Sequence, residues 1–202
     1  MVIDLEYTAW EGSQARAWTG PGEQREVVMI GAVRLSPAGD WLETGTLDVL
    51  VRPRLNPCLS AYFVGLTGIT QERVDAVGMP FQDALARLAE FAGDDETEFW
   101  SNGPDGDVLA ENCRLLGIVS CLASSRFRNV RPFLARRLRK AEEEIDSSRL
   151  AGLCGFSSTG RPHDALHDAR AVAAAMRLAF ATREERFSSE DPAIPSRSAR
   201  AR

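Results

Sequence analysis

MVIDLEYTAWEGSQARAWTGPGEQREVVMIGAVRL, residues 1–35, holds two apolar runs separated by a turn-rich stretch. Residues 1–6 are short and apolar-rich, residues 26–35 (EVVMIGAVRL) are rich in β-branched side chains, and both have strand character. Between them, residues 10–24 carry three glycines and a proline, the composition of a loop joining two strands. A third strand is predicted at residues 46–51, closed by Pro53 and Pro57. The opening therefore reads as an antiparallel meander. In its first strand Asp4 and Glu6 sit two apart, and period-2 alternation turns both side chains to one face. Two adjacent carboxylates repel unless a cation lies between them, so the pair belongs at the solvent or on a metal.

Helical patterns follow the meander. Thr70 is placed to cap a short helix at 71–74, and residues 81–92 bring Phe81, Ala84, Leu85, Leu88 and Phe91 to one buried face by their 3/4 spacing. Phe99 and Trp100 read as a short strand entering a Gly103-Pro104 loop, after which residues 108–116 are helical until Gly117 stops them. Residues 126–140 are Arg-rich and acid-free, which suits a solvated helix face or, more sharply, a groove wall against a phosphate backbone. An Ala-rich helix is predicted at 165–180. Beyond it, residues 183–202 mix Ser, Pro, Arg and acids without apolar periodicity, the composition of a disordered tail.

With 202 residues, 44% of them hydrophobic and 26% charged, the chain has the make-up of one domain with one sizeable core, expected at 1–182. No apolar run approaches the roughly 20 residues of a membrane span, and no signal peptide is legible, so a cytoplasmic location is expected. Cys58, Cys113, Cys121 and Cys154 form no CxxC pair, which argues against a zinc ribbon or a dithiol motif. A net charge of −5 disfavours a large nucleic-acid face, yet leaves room for a small site in which cations offset clustered carboxylates.

Two further segments carry acids. In GRPHDALHDARAVAAA, His163 and Asp168 are five apart, about 140° on an ideal helix, so they cannot share a helical face. Pro162 marks a loop before the helix and leaves His163 free to swing toward the face that Asp168 presents. In WSNGPDGDVLAENCRLLGI, Asp105 opens an amphipathic helix as a cap or as a ligand, with Asp107 competing for either role. Asp105 is preferred because Leu109 and Leu116 share its side of the helix.

DLEYT at 4–8, EVVMIGAV at 26–33, LTGIT at 66–70, the helix at 105–117 and HDALHDA at 163–169 together resemble the DEDDh 3′→5′ exonucleases of the ribonuclease H-like superfamily. Order and spacing agree over residues 2–181, and DLEYTAWEG looks more like the exoribonuclease branch than like polymerase proofreading subunits. The resemblance implies an α/β fold: a mixed five-stranded sheet, its first three strands antiparallel, flanked by helices. Carried over by position, it makes Asp4, Glu6, Asp105 and Asp168 the metal-binding acids and His163 the general base. It also implies release of nucleoside monophosphates from the 3′ end of RNA or single-stranded DNA. One departure stands out, since Asn102-Gly103-Pro104-Asp105-Gly106 replaces the usual aromatic or Trp-Gly lead into the third acidic motif.

The implied chemistry suits these residue types. Phosphodiester hydrolysis needs an activated water and a stabilised leaving oxygen in line, which two metal ions about 3.5–4 Å apart provide. Oxygen-rich ligands favour Mg²⁺ or Mn²⁺. A histidine, with an ordinary pKa of about 6.5, takes a proton from water near neutral pH. Leu66, Thr67 and Thr70 in LTGIT are expected to cradle the terminal sugar, although both threonines also suit capping. Two other readings compete: a zinc-protease-like helix built on His163 and His167, and a catalytically silent binding module on the same fold.

Overall fold

The computed structural model describes residues 1–36, 41–155 and 160–181, so the expected tail at 183–202 lies outside the described residues. Strands β1 (Val2–Tyr7), β2 (Val27–Leu35) and β3 (Glu43–Leu50) form the antiparallel meander. Helices α1 (Ala61–Thr67), α2 (Gln71–Val77) and α3 (Phe81–Ala92) lead to β4 (Phe99–Ser101) and α4 (Asp105–Leu116). Then come β5 (Phe127–Asn129), α5 (Arg131–Leu138), α6 (Leu150–Cys154) and α7 (Ala165–Ala181). The sheet order is β3-β2-β1-β4-β5, with β4 parallel to β1 and β5 parallel to β4. This is the mixed five-stranded α/β sheet expected from the resemblance.

β3 starts earlier than its apolar pattern suggests. Its first half, Glu43 to Thr46, is polar and largely exposed on the sheet edge, where the ladder to β2 rather than burial holds it extended. Local signals set the helix ends. The hydroxyls of Ser60 and Thr70 accept the backbone N–H groups of Phe63 and Arg73, and Gly117 ends α4 in the left-handed conformation at φ 67.

Alternation along β1 divides the molecule. Ile3 and Leu5 enter a core with Phe81, Leu85 and Leu88 of α3 and Val108 and Leu109 of α4. Val2 points the other way, into a core with Leu134 of α5, Leu150 of α6 and Val172 and Met176 of α7. Each large aliphatic side chain buried there contributes roughly 1.5–3 kcal/mol. Asp4 and Glu6 share the face of Val2, so they look toward the start of α7.

Two features of the sheet open a site at that place. Gly31 of β2 pairs with Asp4, and a Cβ at 31 would overlap the Ala165–Leu166 peptide. The missing side chain therefore lets α7 begin directly on the strand beside Asp4. In addition, β1 pairs with β4 only through Val2 and Trp100, after which the two strands part. The gap lies past the carboxyl ends of parallel neighbours, where the sheet changes from antiparallel to parallel order and open α/β sheets place ligands.

Candidate active site

Asp4, Glu6, Asp105, His163 and Asp168 all line one cleft of about 200 Å³ at that gap. Asp105 fills the space left by β4: its Oδ1 accepts the Leu5 N–H at 3.1 Å, a donor that strand pairing would otherwise have used. It is buried and makes no side-chain cap for its own helix, whose N-cap position is Pro104. Asp107 is exposed and does not line the cleft.

His163 stands just ahead of α7 with φ 62, a left-handed conformation that costs a non-glycine residue about 1–2 kcal/mol. That turn brings its N–H to 3.1 Å from Asp168 Oδ2. The ligand atoms of Glu6, His163 and Asp168 lie within 4.8 Å of one another, the one such cluster among the described residues. His167, a turn further along, is not part of it. Its N–H donates to Asp164 Oδ1 at 3.0 Å, and its imidazole rests where a side chain on Gly160 would collide with it.

The LTGIT segment is divided. Leu66 lines the cleft, whereas buried Thr67 spends its hydroxyl on Phe63 O and the Ile69 N–H, and exposed Thr70 caps α2. The segment runs from the end of α1 to the N-cap of α2, so it does stand at a helix start. The basic stretch 126–140 does not act as one face either. Arg126 is buried, donates to Thr97 O at 2.9 Å and Asp94 O at 2.7 Å, and stacks on Phe99. Arg128 pairs with Glu98 and Lys140 with Glu144, while Arg131 alone of the stretch reaches the cleft.

Several cleft residues were not legible in the sequence. Asn102 Nδ2 donates to Ile145 O and to Ser147 Oγ, both at 3.1 Å, and Ser147 lines the cleft together with Asp4. Tyr7 and Trp18, in edge-to-face contact, form an aromatic wall with Tyr62 and Phe63. These polar and aromatic residues come from segments that meet only through the fold.

The acids raise one another's proton affinity. Burial first, then the charges of Asp105, Glu6 and Asp168, hold the Asp4 carboxyl well above the usual carboxylate range. Burial and the charges of Asp168 and Asp105 push Glu6 up to about 8. Asp168 rises to about 7 through burial, opposed by the His163 N–H, and Asp105 to about 6 through burial, opposed first by the Ser101 hydroxyl and then by backbone N–H groups that include that of Leu5. A carboxyl whose folded pKa exceeds its unfolded value of about 4 stabilises the fold below that value and loses the contribution as pH rises through the folded pKa. The melting temperature of EDTA-treated protein is thus expected to fall from pH 5 to pH 8, the span of these shifts, and millimolar Mn²⁺ should flatten the decline. Identical pH profiles with and without the ion would count against a cation site here.

The donor set fits divalent cations. Asp168 Oδ1 is buried with no hydrogen-bond partner among the described residues, an arrangement costly for a carboxylate unless a ligand takes the oxygen. Four carboxylates and one imidazole lining one cleft, with Glu6, His163 and Asp168 clustered within it, suit a hard, oxygen-preferring ion.

A family model described as RNase_T: Exonuclease matches residues 1–176. The 3′-5′ exoribonuclease 1 of Mus musculus is 27% identical over 180 residues, covering 85% of this chain and 50% of its own. The 3′-5′ exonuclease Snipper of Drosophila melanogaster is 32% identical over 95 residues, covering 45% and 30%. The chain spans about half the length of the first of these relatives and less of the second. Among solved structures, the nuclease domain of 3′hExo, a DEDDh family member bound to rAMP, matches with a TM-score of 0.76 at 23% identity over 90% of each chain. Exonuclease I of E. coli, in complex with a dT13 oligonucleotide, matches with a TM-score of 0.65 at 16% identity, over 88% of this chain and 40% of that one. These structural likenesses establish the fold. Since the family model spans nearly all the described residues, the chain belongs to the RNase_T exonuclease family.

Proposed function

We propose that this chain releases nucleoside monophosphates from the 3′ end of RNA or single-stranded DNA. Asp4, Glu6, Asp105 and Asp168 hold two Mg²⁺ or Mn²⁺ ions, and His163 is the general base. The observation that carries this reading is the meeting of five side chains from β1, α4 and the start of α7 in one cleft, with a buried Asp168 oxygen left unsatisfied. When bound, the ions supply the positive charge that makes water nucleophilic and stabilises the leaving 3′-oxygen.

The chain's own residues provide placement and proton transfer. Asp168 fixes His163 through the backbone N–H, so the imidazole is held beside the carboxylates and can take the proton of the attacking water. Asp105 ties the parting edge of β1 to α4 and keeps Asp4 and Glu6 at a set distance from the helix. Tyr7, Trp18 and Leu66 offer an apolar surface to the terminal base and sugar beside the acids. Solved relatives hold an RNA mononucleotide in one case and a DNA oligonucleotide in the other, which supports testing both polymers. Among the described residues no helix is long and apolar enough to cross a membrane.

Single-turnover digestion of 3′-labelled RNA and DNA oligonucleotides with Mn²⁺ tests the reading. Mononucleotide release from the 3′ end, abolished by EDTA, is expected. Binding without release of label would favour the silent module.

A further inference from the structure

We infer that Arg131 is the cleft's phosphate-contacting cation, held in place by Asn102; the assignment rests on the exonuclease reading. Five acids line the cleft, Asp4, Glu6, Asp105, Asp146 and Asp168, and among the described residues Arg131 is the one Arg or Lys that joins them. A polyanionic substrate entering such a wall needs a positive group beyond those the acids themselves hold. Every other basic side chain of the same stretch whose partners are described is engaged elsewhere: Arg126 on Thr97 and Asp94, Arg128 on Glu98, Arg137 on Ala179 O and Lys140 on Glu144.

The guanidinium is pre-positioned. Arg131 opens α5, its backbone N–H donates to Asn129 Oδ1 at 2.9 Å, and the following Pro132 fits the first turn of the helix. Its Nη2 donates to Asn102 O at 2.6 Å, while Nε lies 3.5 Å from Asn102 Oδ1. Nη2 would also lie 3.5 Å from a Cβ on Gly103, a position where a larger side chain would crowd it. The same Asn102 amide reaches Ser147, which lines the cleft with Asp4. Asn102 thus ties the cation to the Ile145–Ser147 wall of the cleft, at the point where the chain departs from the usual Trp-Gly lead. Two bonds to Asn102 fix the plane of the guanidinium and leave donors of its five for a phosphate.

The test uses 3′-labelled oligonucleotides, one unmodified and others with a single neutral methylphosphonate at the second or third linkage from the 3′ end. Arg131→Ala is expected to raise KM for the unmodified strand about 10- to 100-fold, the worth of one hydrogen bond to a charged group, with the larger part of the loss in KM rather than kcat. The log–log salt slope should shrink by about 0.7, one phosphate contact on a single strand. At one linkage the neutral substitution should weaken wild type but not the variant. Arg131→Gln keeps an amide donor for Asn102 without the charge and serves if the alanine variant folds poorly. Equal penalties for neutral linkages in wild type and both variants would overturn the assignment, as would a loss confined to kcat. If wild type itself released no nucleotide, the exonuclease reading would fail instead.

Discussion

Asp4→Asn is expected to reduce nucleotide release by at least about 10³-fold, since a metal ion contributes several kcal/mol to transition-state stabilisation and each 1.36 kcal/mol is tenfold in rate. The same change should raise the melting temperature of the metal-free protein. Asn preserves the shape of the side chain, but removes a charge that burial and three neighbouring acids already disfavour. Without ions that charge is a liability, because repulsion from Asp105, Glu6 and Asp168 is uncompensated. With ions it becomes a ligand. Wild type should therefore gain stability on adding Mn²⁺, by about 2.7 kcal/mol at a hundredfold excess over Kd, and the variant should gain much less. Thermal melts with and without Mn²⁺, run beside single-turnover rates, separate these effects. Turnover within tenfold of wild type, or an undiminished Mn²⁺ response, would remove Asp4 from the site.

Which features were legible follows from what periodicity encodes. The strand pattern at 26–35 and the 3/4 spacing at 81–92 report which side of an element is buried, and both elements form where expected. Period-2 alternation likewise placed Asp4 and Glu6 together opposite Leu5, because the pleat leaves no alternative. The polar half of β3 escaped, since edge-strand residues are held by backbone pairing and need no apolar signal. The Arg-rich stretch was misjudged as a unit. A charge run says nothing about where each guanidinium finds a carbonyl, and Arg126 finds two in the interior. Asn102, Arg131 and Ser147 were invisible for a related reason: their partners lie across the cleft, on elements remote in sequence. Thr67 and Thr70 were legible as caps, which is where their hydroxyls go.

His163→Ala is expected to lower kcat by roughly 10²–10⁴-fold, the usual contribution of a general base, and to leave most of the Mn²⁺-induced stabilisation in place. Four carboxylates still line the cleft in that variant. Alanine at 163 keeps the backbone N–H that bonds to Asp168, so the loss would belong to the imidazole and not to a displaced carboxylate. The left-handed backbone there is strained for alanine as it is for histidine, so folding should change little. His167→Gln provides the contrast. The two histidines are i, i+4 in sequence and would both bind the ion in a zinc-protease-like helix, where losing either strips metal and activity together. The structure sets His163 ahead of α7 and within 4.8 Å of the Glu6 and Asp168 ligand atoms, while His167 packs on the Gly160 turn. Gln at 167 should thus lower stability modestly and leave kcat near wild type, with its Mn²⁺ response intact. Metal content, melting temperature and single-turnover rate measured for both variants decide the matter. Equal losses of metal and rate at 163 and 167 would transfer the motif to the zinc reading; a rate loss confined to 163 assigns the proton transfer to that imidazole.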